Sequence, residues 1–127
     1  MTTESDLKKA GFAEVTASLQ TILRPYEPHL VLQASSEKGY SLNTRYIMKN
    51  GQPLFFGSVQ PQKNYVSFYL MPVYVFPDLL QGVSAELRNR MQGKSCFNFK
   101  VIDAALFNEL AELTRRGFEQ YQAAGYI

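Results

Sequence analysis

The chain has 127 residues, 46% of them apolar and 19% charged, with a formal net charge of +2 and a single cysteine. That length suits one domain with a self-sufficient core, and so small a charge gives no argument for nucleic acid or an anionic membrane as a partner. A lone cysteine makes no internal disulfide, the polar first eleven residues lack the apolar core of a signal peptide, and no apolar run is long enough to cross a bilayer, so a reducing, cytoplasmic location away from membranes is expected.

Residues 1–10 are polar and read as a flexible N-terminus, which leaves residues 11–127 as one domain. Phe12, Val15, Leu19, Ile22 and Leu23 recur at three- and four-residue steps, the spacing of an amphipathic helix, and Pro25 ends it. Residues 30–33 form a short apolar run that predicts a first strand, and residues 35–39 are a loop by composition.

The most informative stretch is residues 40–71. Asn50-Gly51 between two strand-like runs suits the positive φ angles of a two-residue type I′ hairpin. That loop pairs Lys49 with Gln52, Thr44 with Gly57 and Leu42 with Val59, and a four-residue connection at 61–64 then pairs Ser58 with Ser67 and Phe56 with Tyr69. Side chains alternate, so one face carries Leu42, Thr44, Phe55, Gly57, Val59 and Phe68 and is expected to lie against helices. The other face carries Arg45, Phe56, Ser58, Tyr65, Ser67, Tyr69 and Met71, a mixture of hydroxyls, rings and one guanidinium.

Pro72 and Pro77 bracket a short apolar segment, and Asp78-Leu79-Leu80 suits one helical turn. Ser84 is placed to cap a helix over 85–91 that Gly93 stops, and residues 95–100 alternate as a fifth strand. Asp103 is placed to cap a closing helix in which Leu106, Phe107, Leu110, Leu113, Thr114, Gly117, Phe118 and Tyr121 keep helical spacing. Glu112 stands three and four residues before Arg115 and Arg116, which marks an exposed helix side. The expected architecture is α+β: an antiparallel sheet of about five strands with the N- and C-terminal helices packed on one face.

Motifs for chemistry are sparse. Gly93-Lys94-Ser95 lacks the earlier glycine of a phosphate loop and runs from helix to strand, the reverse of that motif. His29 is the only histidine, so no spacing supports a catalytic triad, and no His or Cys pair shows metal-ligand spacing; neither cofactor nor metal is expected, and an enzyme would have no nominated nucleophile and base. Cys96 has Lys94 and Lys100 nearby in sequence, which favours a thiolate, whereas the usual fate of a lone cysteine is burial as a small apolar residue. The mixed sheet face admits three readings: a stacking platform for a small ligand or, less in keeping with the charge, single-stranded nucleic acid; an interface for a protein partner or a second copy; or a surface covered by residues 72–80.

Residues 51–56, the run Lys63-Asn64-Tyr65-Val66-Ser67-Phe68-Tyr69, and Gly93-Lys94-Ser95-Cys96-Phe97-Asn98-Phe99 leading into the last helix together resemble the bacterial YdhG-like family over residues 12–121. The resemblance implies a compact α+β domain of a family mostly without assigned activity. Some relatives are described as frataxin-like iron chaperones that use acidic surface ligands; here that region offers only Glu4, Asp6, Glu14 and Glu27, and Asn43-Thr44-Arg45-Tyr46 replaces the family's Gly-Met-Pro segment, so no functional residue carries over. A small binding domain for a protein partner or self-association is the expected function, with a small-ligand or iron carrier as the alternative.

Overall fold

The computed structural model describes residues 4–36 and 38–127, with side-chain surroundings from residue 11 onward except at 37. Residues 1–3 of the expected flexible N-terminus, and residue 37 in the expected loop, lie outside the described residues. Helix α1 spans Glu4–Leu23, so the backbone is helical through most of the stretch expected to be flexible. Pro25 stops the α-geometry, and the chain tightens into a 3-10 turn over Arg24–His29.

Five strands follow, β1 (Val31–Ser36), β2 (Gly39–Ile47), β3 (Pro53–Pro61), β4 (Val66–Leu70) and β5 (Cys96–Phe99), arranged in that order with every neighbour antiparallel. Between β4 and β5 lie α2 (Pro72–Val75), a 3-10 turn (Pro77–Leu80) and α3 (Ala85–Arg88), and α4 (Ala104–Ala123) closes the chain. This is the expected α+β fold. Helices α1 and α4 cover one face: Leu23 presses on Gly57, Phe118 and Tyr121 meet Phe56, and Phe107 meets Phe99 edge to face at 4.9 Å.

Local signals account for the helix ends. The Asp103 carboxylate accepts from the Leu106 N–H at 3.1 Å and the Ser84 hydroxyl accepts from the Leu87 N–H at 3.1 Å, each satisfying a backbone donor that a first helical turn leaves free. All eight α4 positions selected by spacing, Leu106 through Tyr121, are the buried ones. Arg115 pairs with Glu112 and with Glu119 on the exposed side.

The hairpin turn differs from expectation. Only Gly51 has a positive φ, 82°, whereas a type I′ turn would also require one at Asn50. The Gly51 N–H donates to the Met48 carbonyl and the Met48 N–H to the Gln52 carbonyl, giving a three-residue loop in which the Asn50 side chain accepts from the Gln52 N–H. Pairing starts one residue out of step, with Ile47 opposite Pro53.

Further along, the register shifts again, with Asn43 opposite Phe55 but Leu42 opposite Gly57. Phe56 is the extra residue of a β-bulge, so it and Gly57 both point toward the helices. Phe56 is therefore fully buried among Tyr26, Phe118 and Tyr121, not on the mixed face, and Leu54 is buried with it. Phe55, expected inside, stands opposite Asn43 and is only half-buried. The space at Gly57 is taken by Leu23 and the Tyr69 carbonyl, and Phe68 pairs with Val59. Between β3 and β4 the register is displaced by two, an even number, so Phe68 still points inward and Tyr69 outward.

The segment after β4 does not cover the mixed face. Pro72 abuts Gly117 of α4, the Arg116 guanidinium donates to the Leu79 carbonyl at 3.0 Å, and the Glu109 carboxylate accepts from the Ser84 N–H and hydroxyl at 2.7 and 2.6 Å. Residues 72–84 are thus fastened to the helical layer. Two substitutions test this framework in thermal or urea unfolding. Phe56→Ala is expected to cost about 3–5 kcal/mol, as befits a core ring and not a surface one. Gly51→Val, forced into the left-handed region, is expected to cost about 1–2 kcal/mol.

Candidate functional site

The face of the sheet turned away from the helices follows from the pairing. Ala34, Ser41, Ser58, Tyr69 and Cys96 are directly opposed across all five strands in one continuous row. Gln60, Ser67 and Asn98 form the next row on one side, and Val31, Asn43 and Phe55 the row on the other. None of these residues carries a charge, although nearly a fifth of the chain does. Small side chains floor the middle: Ser58 and Ser67 are each 1% exposed, sunk between larger neighbours such as Tyr69.

A hydrogen-bond chain fixes one end of this face. The Ser67 hydroxyl donates to the Asn98 carbonyl oxygen at 2.7 Å, the Asn98 amide nitrogen donates to Gln92 at 2.7 Å, and the Cys96 thiol approaches the same Asn98 oxygen at 3.3 Å. Gln92 reaches it because residues 90–92 fold back along β5, with the Asn98 N–H donating to the Arg90 carbonyl and the Gln92 N–H to the Cys96 carbonyl. Burial pushes the Cys96 thiol up, against the opposing effect of hydrogen bonds from Ser67 and Tyr69. Burial likewise raises Tyr69, and the neighbouring Cys96 adds to the rise. No lysine enters the balance at Cys96, so Lys94 and Lys100, close in sequence, do not activate it.

Of the residues nominated from sequence, Ser58, Ser67 and Tyr69 are brought together here, with Tyr65 half-buried at the entrance to β4 and close enough to affect the Tyr69 hydroxyl electrostatically. Phe56 belongs to the core, as described. Met71 leaves the sheet to start α2, its carbonyl accepting from the Tyr74 and Val75 N–H groups. Arg45 is elsewhere.

Arg45 lines an open cleft of about 520 Å³ together with Pro28, His29, Tyr46, Gln122, Tyr126 and neighbouring residues. The cleft forms where the 3-10 turn after α1, the irregular end of β2 and the end of α4 meet. Gly125, at φ 85°, lets the chain turn back so that the Tyr126 N–H donates to the Tyr121 carbonyl and the Gly125 N–H to the Gln122 carbonyl, a Schellman stop. This places the Tyr126 ring 5.4 Å from Tyr121 and 4.7 Å from Tyr46. Sequence reasoning missed this cleft, although an Ala-Gly-Tyr ending on an amphipathic helix is a readable sign that the tyrosine folds back.

Among the described residues, no group of three or more His, Cys, Asp or Glu is placed to hold a metal ion, and no helix is long and apolar enough to cross a membrane. The chain matches no protein-family model, and no curated protein or solved structure is significantly similar to it.

The thiol environment gives a measurable outcome. Native Cys96 is expected to react with iodoacetamide more slowly at pH 8 than the same chain in urea, because the native site holds the proton that the unfolded chain releases. The sign for stability follows: as pH rises past the ordinary cysteine value of 9.0, the unfolded form ionises first and the fold loses stability. Equal alkylation rates in native and unfolded protein would overturn the assignment.

Proposed function

We propose that the chain is a non-enzymatic binding domain that uses the uncharged face of its sheet to hold a protein partner, a second copy of itself being the simplest case. The observation that supports this most is the absence of charge from all three cross-strand rows on that face. Depletion of charged residues, with tyrosine retained, is the compositional signature of the centre of a protein interface. A sheet face meant to stay in water ordinarily alternates in lysine, glutamate and similar side chains, which also guard against unwanted pairing.

The polar groups suit the same role. Ser67, Cys96 and Asn98 satisfy one another internally, so burying them under a partner leaves few hydrogen-bonding groups without a mate. Tyr69 supplies ring surface and a hydroxyl next to Ser58 at the middle of the row. Kinship with the YdhG-like family belongs to this proposal through the ordered segments 51–56, 63–69 and 93–99, and it brings no activity with it. The alternative, a small-ligand carrier, draws on a different place, the cleft beside Arg45.

Sedimentation velocity of the wild type and of Tyr69→Glu, each at about 50 μM, separates the versions of the proposal, since a buried like-charge pair across a two-fold interface costs several kcal/mol. The expected result is a dimer for the wild type and a monomer for the variant, with far-UV spectra unchanged because Tyr69 lies outside the core. A monomer in both cases eliminates self-association.

A further inference from the structure

The cleft beside Arg45 has no part in the uncharged sheet face, and its chemistry is different. Arg45 is exposed and, among the described residues, takes part in no hydrogen bond or ion pair; the Gln122 side-chain amide is likewise without a partner. The lining contains arginine and histidine and no aspartate or glutamate; its one carboxylate is the main-chain one of Ile127, which makes no ion pair with Arg45. The acids nearest in sequence are engaged elsewhere: Glu27 accepts from the Tyr40 hydroxyl at 2.5 Å and faces Arg24, while Glu119 pairs with Arg115.

The apolar part of the cleft is a pair of rings held from behind. Tyr126 is fixed by the Schellman stop and by its edge-to-face contact with Tyr121, whose own hydroxyl donates to the Phe55 carbonyl at 3.0 Å. Tyr46 packs on Tyr126 at a tilt of 57°. Across from them, the His29 ring is seated 5.7 Å from Phe118. Tyr126 leans on the buried Tyr121 and the exposed Tyr46 leans on Tyr126, so the aromatic wall exists before any ligand arrives. The cleft volume falls in the range of roughly 300–1,000 Å³ usual for small-molecule sites.

We propose that this cleft binds a small planar aromatic anion, its ring against Tyr46 and Tyr126 and its carboxylate or phosphate on the Arg45 guanidinium. A guanidinium offers paired N–H donors that match either oxyanion, and tyrosine faces and edges accept an aromatic body. The Gln122 amide is available for a polar substituent on that body.

Two anionic probes and their neutral counterparts test this on the full chain: 2-naphthoate against 2-naphthamide, and adenosine 5′-monophosphate against adenosine. Titration by calorimetry, with tyrosine side-chain resonances followed by NMR, is expected to give saturable binding of at least one anion with Kd below about 1 mM, shifting Tyr46 and Tyr126. Its neutral counterpart and the Arg45→Ala variant are each expected to bind at least about tenfold more weakly, the loss typical of a charged hydrogen bond. Arg45→Ala removes an exposed side chain without a described partner, so an unchanged melting temperature is the control; if it melts early, Arg45→Gln takes its place. Tyr69→Glu is expected to leave this binding unchanged, which keeps the outcome separate from that of the sheet face. Whether naphthoate or the nucleotide wins decides between carboxylate and phosphate. No saturable binding of either anion, equal binding of a neutral counterpart, or full affinity in the arginine variant overturns the proposal.

Discussion

The bulge at Phe56 is the constraint on which the rest of the structure depends. A regular strand would send Phe56 and Gly57 to opposite faces; the extra residue sends both toward the helices. Phe56 then fills the aromatic cluster with Tyr26, Phe118 and Tyr121, and Gly57 admits Leu23 to within contact of the strand backbone. One ring and one missing side chain, adjacent in sequence, set how closely α1 and α4 approach the same strand. A ring at Gly57 or a glycine at Phe56 would satisfy neither helix.

The crowding of elements on one side follows. Helices α1 and α4 and the fastened segment 72–84 all lie on the layer that Phe56 and its neighbours create, so the far face of the sheet has no described element to cover it. That face is managed by composition instead. Serines form its floor, one amide network ties β4 to β5, and the folded-back residues 90–92 occupy the outer edge of β5. The opposite edge strand, β1, is left exposed along nearly its whole length, without a charged residue. Sheet and edge share an unusual lack of electrostatic deterrents to association.

Much of this was legible from local chemistry. Caps at Ser84 and Asp103 and the buried stripe of α4 were readable because each depends on residues within one or two helical turns. The inward and outward sides of β4 were also recovered, though not for the reason the hairpin suggested. The turn has one positive φ and not two, and the registers moved, but the displacement between β3 and β4 was even and an even slip preserves faces. Phe56 was misplaced because a bulge carries no signature within a Phe-Phe-Gly run; what selects it is the ring cluster contributed by residues 26, 118 and 121. The cleft was invisible for the same reason. Its walls come from three segments far apart in the chain.

The two surfaces are separated by the behaviour of a single strand. Up to Asn43, β2 is paired on both sides and its alternation assigns Ser41 and Asn43 to the open face. Beyond Asn43 it loses β1, and three residues of β2, Thr44 to Tyr46, stand against Leu54 alone before Ile47 meets Pro53. Thr44 stays buried and ties the irregular stretch down, its hydroxyl donating to the Leu54 carbonyl at 2.9 Å and accepting from the Tyr46 N–H. With the ladder broken there, Arg45 no longer follows the period-two rule that would have set it on the same face as Ser58 and Tyr69. It stands instead with Tyr46 at the mouth formed by Pro28, His29 and Tyr126. The same irregularity that keeps a charge off the sheet face therefore supplies the cleft with its guanidinium, and a regular β2 would have left the molecule with one mixed surface in place of two distinct ones.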